Sequence, residues 1–309
     1  MRWAKYFGLG ILLLLAGGAV LQAIASSRSL HRPPGVLIDV GGYRMHLNCS
    51  GQGAPAVILD SGLGDSWMTW SKVQPRIAEF TRVCSYDRAG MGWSDPSPKP
   101  RTSKVISEEL HTLLHDAAIP AHYVMVGHSF GGMDVRAYAA AYREDVAGMV
   151  LVDSAHPDQM ARLPDAIKKL QARFLVLAQV GWYAMPFGIP RIIGFCEPGA
   201  TVECSGGPLR EMQAEWAALD ESSAQVRASP PLGNLPLRVL SRDPADAMPL
   251  VSVEVMNSSN EVWQQLQEEL AHLSTNSTRT IAFGSGHYIH REKPDLFVDT
   301  VRELVTKLR

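Results

Sequence analysis

The sequence has no excess of charge. Its 29 lysines and arginines face 31 aspartates and glutamates, a formal net charge of −2, with no long run of either sign. Without a basic stripe there is no electrostatic footprint for DNA, RNA or an anionic membrane surface. A small, nearly neutral ligand suits such a chain better. Cys-x-x-Cys pairs and histidine clusters at metal-ligand spacing are also lacking, which leaves a structural zinc without ligands. No internal repeat or low-complexity tract is present, so solenoid arrays are set aside. Cysteine is scarce, at four residues. Cys196 and Cys204 flank a Pro-Gly loop that a disulfide can staple, consistent with export to an oxidising compartment. Cys49 and Cys84 lie near expected strands and read equally well as small buried apolar residues.

What is present begins with a long apolar run. Arg2 and Lys5 precede Tyr6 to Leu21, which continues through Gln22-Ala23-Ile24-Ala25 into the polar Ser26-Ser27-Arg28. Residues 1–30 therefore stand outside the globular fold, as a membrane anchor or a removed signal segment. The run is long for a signal-peptide core of about 7–15 residues, which favours the anchor, while Ala23-Ile24-Ala25 resembles a cleavage site. Either way the positive start keeps Arg2 and Lys5 on the cytoplasmic side and exports the rest.

The remainder, in a chain of 309 residues and 46% hydrophobic composition, can bury one large core. After Arg32-Pro33-Pro34-Gly35, Val36–Val40 and Tyr43–Cys49 read as a hairpin turned at Gly41-Gly42, followed by strands Ala56–Leu59 and Arg82–Tyr86. A helix is expected over Ser103–Ala117, where Val105, Ile106, Leu110, Leu113 and Leu114 recur at helical spacing. Strand and helix then alternate: Tyr123–Val126, a helix over Gly131–Tyr142, and the apolar Met149–Val152. Apolar runs separated by helices point to parallel strands buried on both faces. From 156 to 235 the pattern changes to helical pieces at Ala166–Val180 and Leu209–Val226 around the Pro- and Gly-rich Met185–Gly207, read as an inserted cap. Alternation resumes with Leu237–Leu240, a helix Val251–Leu273, a strand Thr280–Phe283 and a helix Leu296–Leu308. The core is thus expected in two parts, 36–155 and 236–309.

The chemistry concentrates in Gly127-His128-Ser129-Phe130-Gly131-Gly132, a G-x-S-x-G set between an apolar strand and a helix. A serine on so sharp a bend needs neighbours without side chains, which is the reason for the glycines. Three further motifs follow strands: Asp60-Ser61-Gly62-Leu63-Gly64, Asp87-Arg88-Ala89-Gly90-Met91-Gly92-Trp93-Ser94 and Gly284-Ser285-Gly286-His287. Together they make the chain, over roughly residues 36 to 309, resemble the α/β-hydrolase family, although Ser61 replaces the usual histidine of the oxyanion loop. The resemblance implies a mostly parallel eight-stranded sheet with helices on both faces and a helical cap. It also implies Ser129 as nucleophile, His287 as base, and the amides of Leu63 and Phe130 as oxyanion donors.

The orienting acid is open between Asp153 and Asp243, since both satisfy the order serine, acid, histidine. Asp153 directly ends an apolar strand, at the edge where open α/β sheets bind ligands, and is favoured. Asp243 and Asp246 flank the position nine beyond Pro236, where the family often carries its acid. His128 sits inside the elbow, His290 reads as a solvated or capping residue, and Asp87 and Arg88 read as a loop brace. Large apolar side chains in the cap, Trp182, Tyr183, Met185, Phe187, Phe195 and Trp216, suit either an acyl pocket or simple cap packing, as do Trp67 and Trp70.

A serine at the elbow implies an ester intermediate, whereas an aspartate there implies epoxide or haloalkane chemistry. The expected function is a carboxylic-ester hydrolase for small to medium apolar acyl esters or lactones. Amide or carbon–carbon bond hydrolysis on the same triad is the alternative, and a hydrolase-fold binding or sensor protein is the alternative of another class. No metal or organic cofactor is implied by any motif, and the expected partners are a small-molecule ester-type substrate and, through the first helix, a membrane.

Overall fold

The computed structural model describes residues 2–27, 30–196, 199–246 and 251–309. Arg28 and the side chains of Arg2 and Lys5, invoked above, lie outside the described residues. Eight strands among the described residues form one sheet: β1 Val36–Asp39, β2 Arg44–Ser50, β3 Val57–Asp60, β4 Val83–Tyr86, β5 Tyr123–His128, β6 Val146–Val152, β7 Leu237–Arg242 and β8 Ser277–Ala282. Their order in space is β1-β2-β4-β3-β5-β6-β7-β8. The first two pairings, β1 with β2 and β2 with β4, are antiparallel, and all the others are parallel.

Side chains alternate across a strand, so a sheet covered on both faces fills two cores. On one face Ile58, Met125, Leu151 and Val239 pack among Leu110, Leu113, Val135, Tyr138 and Leu270. On the other, Val57, Val124, Val126 and Val150 pack among Trp70, Ile77, Val301 and Leu304. The longer helices are α1 Arg2–Ala25, α2 Ser103–Asp116, α3 Gly131–Ala141, α4 Asp165–Ala184, α5 Gly206–Ala217, α6 Leu219–Arg227, α7 Val253–Ala271 and α8 Pro294–Lys307. Helices α2, α3 and α7 supply the first core and α8 the second.

The stretch expected as one helix, Leu209–Val226, is two. Backbone angles at Ala218 (φ −89°, ψ 2°) separate α5 from α6. Alanine is a good helix former, so nothing local marks this break. Tertiary packing sets it, for α5 lies on α4 whereas α6 lies on α2 and α3. Helices α4, α5 and α6 all fall between β6 and β7 in the chain. Within α1, Tyr6–Ala25 forms 20 residues long and apolar enough to cross a membrane.

The sequence leaves Cys49 and Cys84 open between pairing and simple apolar burial, and the structure pairs them. The antiparallel β2–β4 register sets them opposite one another, Cα atoms 4.0 Å apart, and they form a disulfide. Cys196 and Cys204 form a second. The Cys49–Cys84 link spans 35 residues, so Cys49→Ala/Cys84→Ala should lower unfolding free energy by about 3–4 kcal/mol in non-reducing urea titrations. An unchanged midpoint would show that the link constrains nothing.

Candidate active site

Ser129 follows the last residue of β5 and has φ +52°, in the left-handed region that side chains avoid. The bend is enforced by close approach. A Cβ on Gly127 would lie 2.5 Å from the Gly131 carbonyl oxygen, and one on Gly131 would lie 2.6 Å from that of Ser61. Only glycine fits either place, which lets α3 start directly behind the serine.

Asp153 occupies the equivalent position one strand over. The β5–β6 register pairs His128 with Val152, so the next residues, Ser129 and Asp153, leave the sheet side by side. Asp153 is also left-handed, at φ +41°. The two turns interlock: the Ser129 N–H donates to Val152 O at 3.2 Å, and the Ala155 N–H donates to Ser129 O at 2.9 Å. The Asp153 N–H reaches the third strand end, donating to Leu240 O at 2.7 Å.

His287 arrives from the loop after β8, and its Nδ1 lies 2.6 Å from Asp153 Oδ2. A carboxylate only accepts, so Nδ1 carries a proton, and in the neutral imidazole Nε2 keeps the lone pair. The buried Asp153 also accepts from Trp263 Nε1 at 2.7 Å and from the Arg242 backbone N–H at 3.0 Å. Burial alone would raise its pKa. The Arg242 guanidinium, 3.4 Å away, together with the His287 and Trp263 hydrogen bonds, outweighs burial and holds the carboxyl below the ordinary aspartate range. Arg242 itself lies over the Trp263 ring, 4.7 Å from its centroid.

Asp243 is placed differently. Its Oδ1 accepts from the Ala245 N–H and its Oδ2 from the Gly284 N–H, each at 2.7 Å, so it braces two turns. Asp246 lines the cavity in front of Ser129, with Oδ2 3.7 Å from Arg242 Nε.

Ser129 and His287 face one cavity of about 360 Å³, whose walls include Leu63, Phe130, Leu163, Ile167, Trp216, Leu219 and Trp263. Of the cap aromatics named from sequence, Trp216 alone lines it. Phe195 and Met185 line a separate cavity of about 340 Å³ beyond Gly64, which holds neither Ser129 nor His287. Tyr183 and Phe187 are exposed. Trp70 is wholly buried beside Phe297 and His290, and Trp67 donates to Glu203.

The Leu63 and Phe130 N–H groups have no acceptor among the described residues. Arg88 fixes the direction of the first. Its Nη1 donates to Ser61 O at 2.7 Å and its Nη2 to Gly62 O at 2.7 Å. Gly62 O and the Leu63 N–H belong to one planar trans peptide, so anchoring the carbonyl turns the N–H the opposite way. Arg88 is buried and is itself held by Asp60 at 2.9 Å and, through Nε, by Glu215 of α5 at 2.6 Å. Burial lifts the Asp60 carboxyl to about 6 even with Arg88 and the Tyr86 hydroxyl beside it. Asp87 braces in parallel, accepting from the Trp67 and Trp93 N–H groups and bonding His46 Nδ1.

His290, expected as a solvated or capping residue, is fully buried. Its Nε2 bonds Thr69 Oγ1 at 3.0 Å, and burial, with His287 and Arg291 nearby, pushes its pKa down to about 3. His128 lies between it and His287, with both ring centroids 4.7 Å away, and is likewise driven well below its ordinary value, by burial first. Its Nε2 is 3.0 Å from the His287 carbonyl oxygen, which can only accept, so His128 donates there and tethers the His287 loop. Trp263 and Arg242 escaped the sequence reading. On an amphipathic helix such as α7, Trp263 has the spacing of any core residue, and Arg242 is one charge at the end of a strand.

A family model described as the alpha/beta hydrolase family matches residues 57–300. The chain belongs to the alpha/beta hydrolase family. Among curated relatives it is 26% identical over 300 residues to a probable transporter, efuK, of Hormonema carpetanum, covering 87% of this chain but 42% of that protein. It is 28% identical over 248 residues to the uncharacterized protein YqjL of Bacillus subtilis, covering 80% of this chain and 81% of that one. A thermophilic esterase from Thermogutta terrifontis superposes with a TM-score of 0.64 at 22% identity, over 88% of this chain and 98% of its own. At that identity the likeness shows the alpha/beta hydrolase fold alone.

Two measurements probe this site. Arg88→Met leaves Asp60 and Glu215 buried without a counter-charge, and should cost about 3–5 kcal/mol in urea unfolding. A loss under 1 kcal/mol, roughly the worth of an exposed pair, would contradict the buried network. His290 takes up a proton near 6.5 when unfolded and near 3 when folded, so stability should fall as pH drops through that window. His290→Gln removes this uptake and should lessen the slope of unfolding free energy against pH by up to about 1.4 kcal/mol per unit. An unchanged slope would mean that His290 is not held neutral.

Proposed function

We propose that this alpha/beta hydrolase is a serine ester hydrolase in which Ser129, His287 and Asp153 form the triad. The observation that carries it is the 2.6 Å hydrogen bond from His287 Nδ1 to Asp153 Oδ2, with Ser129 on a left-handed bend facing the same cavity. The Asp153 bond leaves the lone pair of His287 on Nε2, the correct tautomer for a base.

In the acylation step, Ser129 Oγ attacks the ester carbonyl carbon as His287 Nε2 takes the hydroxyl proton. The carbonyl oxygen becomes an oxyanion held by the Leu63 and Phe130 N–H groups, oriented before the reaction and so without reorganisation cost. Collapse breaks the bond to the alkoxide, which leaves with the proton from His287. Water, activated by the same imidazole, then releases the acid and restores Ser129. Asp153 stays ionised throughout, stabilising the imidazolium, in keeping with the cations and donors that surround it.

Helices α4 to α6 act as a cap, since Ile167, Trp216 and Leu219 from them roof the cavity. Its volume of about 360 Å³ sits near the small end of ligand sites, and its apolar walls suit short to medium acyl chains or a lactone ring. Helix α1 is read as an uncleaved membrane anchor.

A fluorophosphonate probe should label wild type at Ser129 and leave Ser129→Ala unlabelled. On a nitrophenyl ester, Asp153→Asn should lower kcat by about 10³–10⁴-fold, as loss of the orienting acid does in other triads. Asp243→Asn should stay within about threefold of wild type, within the range of a lost turn hydrogen bond. Near-normal turnover by Asp153→Asn would sink the assignment, and an unlabelled Ser129 would favour a binding protein.

A further inference from the structure

Exposed large apolar side chains are not spread over this molecule. Among the described residues they fall on α1 and on the stretch 174–195, apart from Leu30, Val36, Val253 and Phe283. Phe174, Leu177 and Val180 stand three residues apart on one side of α4, and Ile192, Ile193 and Phe195, in and just after the short helix Ile189–Ile192 that packs against α4, are exposed as well. A patch of this kind marks a binding surface.

Its position along α1 says what covers it. Helix α1 packs on this stretch through backbone contact: a Cβ on Gly188 would lie 2.5 Å from Gly18 O. Polar bonds reinforce the joint. Gln22 Nε2 donates to Cys204 O at 2.8 Å, and Arg191 Nε donates to Gln22 Oε1 at 3.2 Å. Gly18 precedes the end of α1 by two turns, about 10 Å along the axis, in a span of roughly 30 Å. Residues 187–193 therefore lie at the depth of the span's own apolar residues, not above its end. Interfacial helices bury their apolar faces about 5–10 Å into the headgroup and acyl boundary, the same depth.

We propose that the 174–195 face docks into the lipid bilayer alongside α1, so that the cap is seated in the membrane surface rather than held clear of it. This rests on reading α1 as an uncleaved span. Residues 174–195 carry one charged side chain, Arg191, so the attraction is apolar and needs no anionic lipid.

The full chain, reconstituted in phosphatidylcholine vesicles, tests this. An environment-sensitive fluorophore is placed by Leu177→Cys on the face, by Leu13→Cys on α1, or by Ala121→Cys, exposed just before β5 at the end of that strand away from Ser129. Each labelled chain must keep the wild-type thermal transition. Doxyl-labelled lipids should quench positions 177 and 13 comparably and leave position 121 bright. Quenching at 13 with none at 177 would overturn the docking while keeping the anchor. Quenching at neither would overturn both. Self-quenching at 177, relieved by unlabelled chain and indifferent to doxyl lipid, would put a second copy on this face and also overturn the proposal.

Discussion

The register between β5 and β6 is the constraint on which the site depends. Because His128 pairs with Val152, the chain turns out of the sheet at Ser129 and Asp153 at the same level. Shifting one strand by a residue would send the pair to opposite faces, since side chains alternate along a strand. Both residues then hold left-handed backbone without being glycine, at a cost of order 1–3 kcal/mol each. The strain is offset locally. Each turn donates or accepts through the neighbouring strand's end, at Val152 O, Ser129 O and Leu240 O, so neither relaxes alone. Three adjacent strand ends thus define one rigid rim, and His287 needs only a short loop from β8 to reach it.

Electrostatics then sort the groups around that rim. Asp153 is kept ionised by Arg242 on one side, while the two histidines behind His287 are kept neutral by burial. A protonated His128 or His290 would repel the imidazolium that forms on His287 during the proposed reaction. Arg88 plays a geometric part. A buried ion pair is weak grounds for net stability, but its guanidinium holds the Ser61 and Gly62 carbonyls and a carboxylate of α5 at once. Helix α5 is thereby tied to the loop whose amide direction the proposed chemistry needs.

What could be read from sequence follows from how tightly backbone geometry restricts residue type. Gly127, Gly131 and the bend at Ser129 were legible because no other residue fits beside a neighbouring carbonyl. The Gly-x-Gly-His after β8 was legible for its position. Asp153 is favoured over Asp243 for directly ending an apolar strand, but each is an aspartate following a strand, and only lateral register brings one to His287 and sends the other to the Gly284 turn. The same limit applies to Cys49 and Cys84, opposite one another through antiparallel pairing across 35 residues. It also applies to His290, whose neighbours Trp70 and Thr69 come from the far side of the sequence. Local pattern gives elements; partners chosen through the sheet must come from the fold.

Helix α4 links the two halves of the functional reading. Its first turns point inward, with Ile167 and Gln171 among the cavity walls, and its later turns carry the exposed Phe174, Leu177 and Val180. Along its length α4 covers one stripe, with Ile167 and Ala178 buried and Gln171, Leu175 and Trp182 half-buried, and Leu175 and Ala178 pack on a core cluster. Phe174, Leu177 and Val180 lie outside that stripe, exposed to the surrounding medium. If that medium is lipid, the helix that roofs Ser129 is the one in contact with the acyl boundary. An apolar ester dissolved in the bilayer would then reach the cavity past one helix, without first crossing water.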